Sequence, residues 1–343
     1  MKIVSYIISI VLVLGIASCS RIEHIHTQTE IAIRPMGIPM PKSIAYPEDQ
    51  VFGIYALYAD CPQGVDWRDQ TAWGASSIYL DSVAFKYNGE YAAGYDLQSD
   101  AYKPYYWPFS GSLMFAGYSP HQGDSDGTID SVNFILNTVN PGANPYFKID
   151  FRQIVEPSKM IDLMWFDIKD VNNGKTVAKS DTPLNLQFKH ALAKVSFEFV
   201  DNNEIYQLDS VILRGCINKA TFYSGYTAGW LPDISQVENY ELLSSSMERE
   251  KLNEWKSESL YIIPQYLDGI YDTLTGTQDR GLDVVLAFGL TDGFGGQLVE
   301  IPLKNYTDRW LLGYHYKYTV TVNADPIEFG SPDFTITSQI VAM

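Results

Sequence analysis

Cysteine is scarce in this chain of 343 residues, with only Cys19, Cys61 and Cys216. So few and so widely spaced thiols make no disulfide framework, and the core has to rest on apolar burial. Positive charge is also short: 24 Lys and Arg stand against 41 Asp and Glu, a formal net charge of −17. Nothing resembles the basic stripe that neutralises phosphates, so nucleic acid is not an expected partner. There is no Ser-His-Asp order, no Gly-rich nucleotide loop and no carboxylate pair at a usable spacing. The sequence therefore reads as a non-enzyme without a cofactor. Helical periodicity is nearly missing, and Met247 to Trp255 is the one stretch after the leader that reads as a short helix.

Aromatic residues are abundant. They make up 14% of the chain, with 24 Tyr, 16 Phe and 7 Trp, scattered through short apolar patches. That pattern favours many short strands. The length suits two domains of about 150 residues each. The spacing assigns an all-β fold to them: 48–180 and 181–343, after a leader (1–18) and an N-terminal lead (19–47).

The leader has Lys2 at its positive start, then an apolar run from Ile3 to Ile16. Ile16-Ala17-Ser18-Cys19 follows: an aliphatic residue, two small ones and a Cys, the pattern of a bacterial lipobox. Cys19 is therefore the expected site of lipid attachment, and two or more acyl chains hold a protein stably on a bilayer. Cys61 and Cys216 then remain, one in each domain, and read as free buried thiols. The lead carries one modest alternation, Glu30-Ile31-Ala32-Ile33, which Arg34-Pro35 breaks. Pro39, Pro41 and Pro47 keep the following segment extended.

In the first domain, Val51 to Tyr58 is apolar on both parities and reads as an interior strand packed on two sides. Val83 to Tyr91 reads as a hairpin turning at Asn88-Gly89. Further strands are expected at Ser112 to Ser119, Asn133 to Leu136, Tyr146 to Phe151 and Ile161 to Phe166. Between Leu184 and Val200 the apolar parity changes: Leu184, Leu186 and Phe188 are even, whereas Val195, Phe197 and Phe199 are odd. A strand cannot switch faces without an extra residue, so a bulge or kink is expected between Lys189 and Lys194. Later strands follow at Leu208 to Gly215, Ser259 to Gln265, Leu282 to Leu290, Gly296 to Leu303, Tyr314 to Val322 and Phe334 to Val341.

Three other features were weighed for chemistry. His24-Ile25-His26 places two imidazoles on one side of a strand, but no further ligand accompanies them, and no metal site is expected. Gly123 to Asp130 resembles part of a calcium loop, yet Gln122 and Asn133 stand where the first and last ligands belong, so it reads as a turn. His190 reads as a packed or capping residue.

Several pieces together resemble the fimbrillin family of Bacteroidetes surface pili: the lipobox at Cys19, FGIYALY from Phe52, YYWPFSGSLMFAGYSP from Tyr105, and DLMW from Asp162. LQFKHALAKVSF from Leu186, LYIIPQ from Leu260, and WLLGYHYKYTVTV from Trp310 followed by IEF complete the series. The resemblance implies two transthyretin-like β-sandwich domains and a structural or adhesive fimbrial subunit, exported as a surface-exposed outer-membrane lipoprotein. It also implies cleavage after an Arg in the lead, departure of the first strand, and addition of a strand from another fimbrial subunit. Arg34 fits the cleavage best, although Pro35 after the cut is disfavoured by trypsin-like enzymes; Arg21 is the other candidate. Without processing, the chain would be an anchor or a surface adhesin for a host or bacterial ligand. Phe334 to Met343 is either a donated strand or the strand that closes its own domain. A different function stays open, a glycan-binding surface lipoprotein that does not polymerise, built on the rings of Trp67, Trp73, Tyr105, Tyr106 and Trp107. Exposure of Trp107 in an open cleft would favour it; burial would favour the fimbrial subunit.

Overall fold

The computed structural model describes residues 28–36, 46–69, 77–135, 145–202, 206–225, 228–244, 250–272, 278–291, 296–323 and 333–343. They form an all-β protein with three apolar cores, and the only helices among them are single 3-10 turns.

Strand Val51–Ala59 explains the N-terminal half. It lies antiparallel between Ser77–Tyr87 and Ser112–Ser119, as its two apolar parities predict. Phe52, Ile54 and Ala56 enter one core with Phe85, Phe115, Phe166 and Phe188; Tyr55, Leu57 and Ala59 enter another with Phe147, Ile149, Phe151 and Phe222. The sheet runs in the order Leu184–Gln187, Ile33–Met36, Ala92–Asp96, Ser77–Tyr87, Val51–Ala59, Ser112–Ser119, Met164–Phe166, Lys189–His190. Its first and last members are separated in sequence by Phe188 alone, so the sheet closes upon itself and loses both edges. The Phe188 ring marks the closure, 5.3 Å from Phe52 and 5.0 Å from Phe166 between centroids.

A second layer covers the outside of this closed sheet: Gly229–Pro232, Lys219–Tyr223, Tyr146–Arg152 and Ile129–Ile135. Its middle strand alternates cleanly, with Phe147, Ile149 and Phe151 buried against Tyr55 and Trp165. The hairpin Lys219 to Pro232 was not anticipated. Ala220 and Phe222 carry its alternation, but five residues are too few to stand out.

The C-terminal half is a sandwich. One sheet runs Leu260–Ile262, Ala193–Asp201, Tyr314–Asn323, Asp333–Ala342; the other runs Val237–Leu243, Gln207–Ile217, Val285–Thr291, Gly296–Pro302. Val195, Phe197, Phe199, Tyr316, Tyr318, Val320 and Val322 point into the core they share, on the parities read from the sequence.

The parity switch falls at Ala191-Leu192, inside the expected window. There the chain leaves the closed sheet, and Ala193 begins a strand of the sandwich. Its buried polar groups are satisfied: the Ala191 N–H donates to the Leu163 carbonyl (2.7 Å), its carbonyl accepts from the Trp230 indole (2.6 Å), and the Leu192 carbonyl accepts from Gly313 N–H (2.9 Å).

Two expectations need correction. The helix from Met247 to Trp255 is not formed over its described part: Glu250–Lys251 pairs with Gln207 and Leu208, and Leu252–Glu254 is one 3-10 turn. Leu252 and Trp255 have helical spacing, but core burial fixes each of them in place. The lead alternation, second, is not broken at Arg34-Pro35. The strand there is Ile33–Met36, paired parallel with Leu184–Gln187. Leu184 donates to the Ala32 carbonyl and Phe188 to the Met36 carbonyl, so the even residues bond to that neighbour. Pro35 faces the other side, where pairing with Ala92 ends at Ile33, and its missing N–H costs nothing.

Candidate assembly site: the lead strand and its channel

The lead segment is the only described strand of the closed sheet that comes from residues before Tyr46. Ile31 and Ile33 are wholly buried beneath it and Pro35 is buried too, while Arg34 and Met36 face outward. One wall is Leu184–Gln187. The other is Ala92 and the loop Tyr102 to Trp107, where the Ile31 N–H donates to the Tyr105 carbonyl and the Trp107 N–H donates to the Thr29 carbonyl, each at 2.8 Å. Beneath the strand lie Phe52, Phe85 and Phe188, with Tyr105 stacked on Phe85 at 5.7 Å. The strand thus lies in a channel between these two walls. The Tyr46 hydroxyl, buried, donates to Ser119 at 2.7 Å.

Arg34 exposes its guanidinium, whose Nε donates to the Glu90 carbonyl at 3.4 Å. Its peptide bond to Pro35, however, lies within the paired strand. Cys19, Arg21, His24, His26 and Trp73 fall outside the described residues.

At the seam, His190 Nδ1 lies 2.7 Å from Asp162 Oδ2, and Lys189 Nζ lies 2.5 Å from Asp170 and 4.0 Å above the Trp165 ring. His190 is thus a packed residue that ties the closing strand to its neighbour. The carboxyl of Asp167 nearby is pushed up to about 7 by burial.

One edge of the sandwich is the terminal strand Asp333–Ala342. It pairs with Tyr314–Asn323 along its whole length without a register shift, so in this structure it closes its own sheet. Its side chains are mostly open to solvent; Ile336 is buried, but Ile340 is 48% and Val341 41% exposed.

Other sequence candidates resolve without chemistry. Trp107 is buried and packs edge-on against Phe115 at 5.7 Å, Trp67 is half-buried against the second core, and Tyr106 is partly exposed. These rings do not gather in one open cleft. Residues 123–130 form a turn in which the Ser125 hydroxyl donates to the Gln122 carbonyl and Ser125 Oγ accepts from the Ile129 N–H. Among the described residues no group of His, Cys, Asp or Glu could hold a metal ion, and no helix is long and apolar enough to cross a membrane. Cys61 and Cys216 are free and buried, as read from their spacing. The closing role of Lys189–His190 had no local signal, because it depends on Met164 and Trp165, more than 20 residues away.

Closed sheet, sandwich, inserted lead strand and terminal edge strand define an all-β protein built on strand pairing. The chain belongs to the fimbrillin-like family, whose sequence model matches residues 64–338. No curated protein matches it in sequence. Among solved structures it is similar to a candidate cell adhesion protein of Bacteroides uniformis, with 15% identity and a TM-score of 0.51 over 91% of this chain and 98% of that one. It is also similar to the tip fimbrial protein Mfa3 of Porphyromonas gingivalis, with 10% identity and a TM-score of 0.40 over 92% of this chain and all of that one. Identities this low bear on the fold alone.

Proposed function

We propose that this protein is a structural or adhesive subunit of a cell-surface fimbria, exported as an outer-membrane lipoprotein with its lipid on Cys19, and assembled with other fimbrial subunits by strand addition. The observation that carries the reading is the lead strand. It fills a slot between Ala92 and Leu184–Gln187, and in sequence it follows Cys19, the proposed lipid site. Removing it would leave the Leu184–Gln187 edge, the Tyr105 carbonyl and the Trp107 N–H unpaired, above apolar pockets shaped for Ile31 and Ile33. A strand from another subunit satisfies both needs at once. Four or more ladder bonds at about 1 kcal/mol each, with two buried Ile side chains at about 1.5–3 kcal/mol each, make such a joint durable.

Processing at Arg34 would detach Ile31 and Ile33 with the tether. Because the Arg34–Pro35 bond is paired within the strand, a protease has to act on a loosened lead or before folding is complete. Cutting at Arg21 instead would release little more than the lipid. If neither is cut, the strand stays in its slot and the chain acts as an anchor or a standalone adhesin. The proposed organisation keeps 48–180 and 181–343 as the two sandwich units, with Leu184–His190 and Lys219–Pro232 crossing to complete the first. Glycan binding without polymerisation finds less support, since Trp107 lies in the core.

N-terminal sequencing of the surface-exposed form tests the reading. A start at Pro35 supports a polymerising subunit, and a blocked start at Cys19 supports an anchor. A start within the folded body, after residue 46, would reject both. A Cys19→Ala chain is expected to take up no labelled palmitate; normal labelling would rule out the lipid site.

A further inference from the structure

The lead segment has a fault at Glu30, just before its strand Ile33–Met36. Glu30 bridges to Tyr106 in the antiparallel sense, and the main chain around it is tied through Thr29 and Ile31 to the Tyr102–Trp107 loop. By strand alternation Glu30 should face outward with Ala32 and Arg34. Instead it is half-buried against the loop. That loop is itself fixed, for the Tyr79 hydroxyl donates to the Tyr106 carbonyl at 2.8 Å. One carboxylate oxygen, Oε2, accepts from the Tyr102 hydroxyl. The other, Oε1, is out of contact with solvent and has no donor. Arg34, the one cation of the strand, is engaged with the Glu90 carbonyl. Thr29, next to Glu30, donates its hydroxyl to another acid, Asp181, at 3.2 Å.

A carboxylate oxygen shut away from water without a donor opposes the burial of the strand that carries it. Ile31 and Ile33 fit the channel, and Glu30 does not. We infer that Glu30 makes the lead strand a provisional occupant, and that the channel between Tyr102–Trp107 and Leu184–Gln187 prefers a strand of another subunit with an uncharged side chain in the Glu30 place and apolar side chains in the places of Ile31 and Ile33. The inference rests on the strand-addition reading above and gives it a direction: exchange runs from the charged strand to the neutral one.

Amide hydrogen exchange on the full mature chain tests it. In Glu30→Gln and Glu30→Met, the amides of Ile31 and Ile33 are expected to exchange about ten-fold more slowly than in the unaltered protein. The strand Val51–Ala59 serves as the internal reference and should not change. Slowing in either variant supports the role of Glu30; unchanged or faster exchange in both overturns it. Cross-linking of the processed subunits separates this from the broader reading. Inter-subunit ladders with unchanged exchange would sink the role of Glu30 alone. Slowed exchange without ladders would sink the incoming strand, and strand addition with it.

Discussion

Asp167 shows how one side chain can set the pH response of this fold. It opens the single turn Ile168–Asp170, where its Oδ1 accepts from the Ile168 N–H at 2.7 Å and the Asp170 carboxylate accepts from its own N–H at 2.9 Å. That turn places a carboxyl in the buried region beside Trp165, and burial lifts it to about 7 despite Lys169 at 3.9 Å. An unfolded Asp releases its proton near pH 4. Between about pH 4 and 7 the folded chain therefore holds a proton that the unfolded chain has lost, and stability falls as pH rises through that window. Asp167→Asn keeps the capping oxygen and removes the ionisation. It should stabilise the protein by on the order of 2 kcal/mol at pH 8 and by clearly less at pH 5. Thermal melts at the two pH values decide it, and equal shifts at both would refute the assignment. The free, buried state of Cys61 and Cys216 was legible from their isolation in the sequence. The state of Asp167 was not, since nothing local tells a buried Asp from the exposed ones around it.

Among the elements, the lead strand gives the sharpest prediction. Ile33→Ala removes a wholly buried side chain from a strand held by few other contacts, at a cost of about 2–5 kcal/mol. The expected result is local opening: faster amide exchange at Ile31 and more rapid trypsin cleavage after Arg34, with the strand Val51–Ala59 unaffected. Resistance at Arg34 equal to that of the unaltered chain would mean that Ile33 does not hold the strand. Alternation in Glu30 to Ile33 marked this element in the sequence, but its limits were misplaced by three residues. Pro35 looked like a stop, and it would be one in a strand bonded on both sides; only the absence of a neighbour beyond Ile33 lets it pass. Strands with long, clean alternation, such as Tyr314–Asn323, were legible for the same reason that they fold: their apolar parity is their buried face. The hairpin Lys219 to Pro232 and the turn at Leu252 were not, because their partners supply the burial that their own short patterns cannot signal.

The whole molecule depends on chain segments that cross between its halves. Leu184–His190 closes the N-terminal sheet, and Lys219–Pro232 extends the layer outside it. A fragment ending at residue 180 lacks both, and with them Leu186, Phe188, Ala220 and Phe222 from two cores. It should therefore show no cooperative thermal unfolding and no fixed near-ultraviolet circular dichroism, whereas the full chain is expected to show both. A fragment that melts cooperatively would establish that the first unit folds without its closing strand. With a formal net charge of −17, copies of the chain repel one another at long range. Under the proposed reading, contact between subunits then has to come from local pairing at the strand slot.

The sequence by itself determined the β class, the two-faced strand at Val51–Ala59, the kink that hands the chain from one unit to the other, and the lead alternation with its acid, its Arg and its Pro. These are properties of neighbouring residues, and a period of two writes them directly into the chain. Only the tertiary structure decided that the first sheet closes through Phe188, that Trp107 is core rather than a binding ring, and that Glu30 lies under a tyrosine loop. Each of those depends on which distant segments meet, and main-chain hydrogen bonds and apolar burial reward such a meeting without leaving a mark in local sequence.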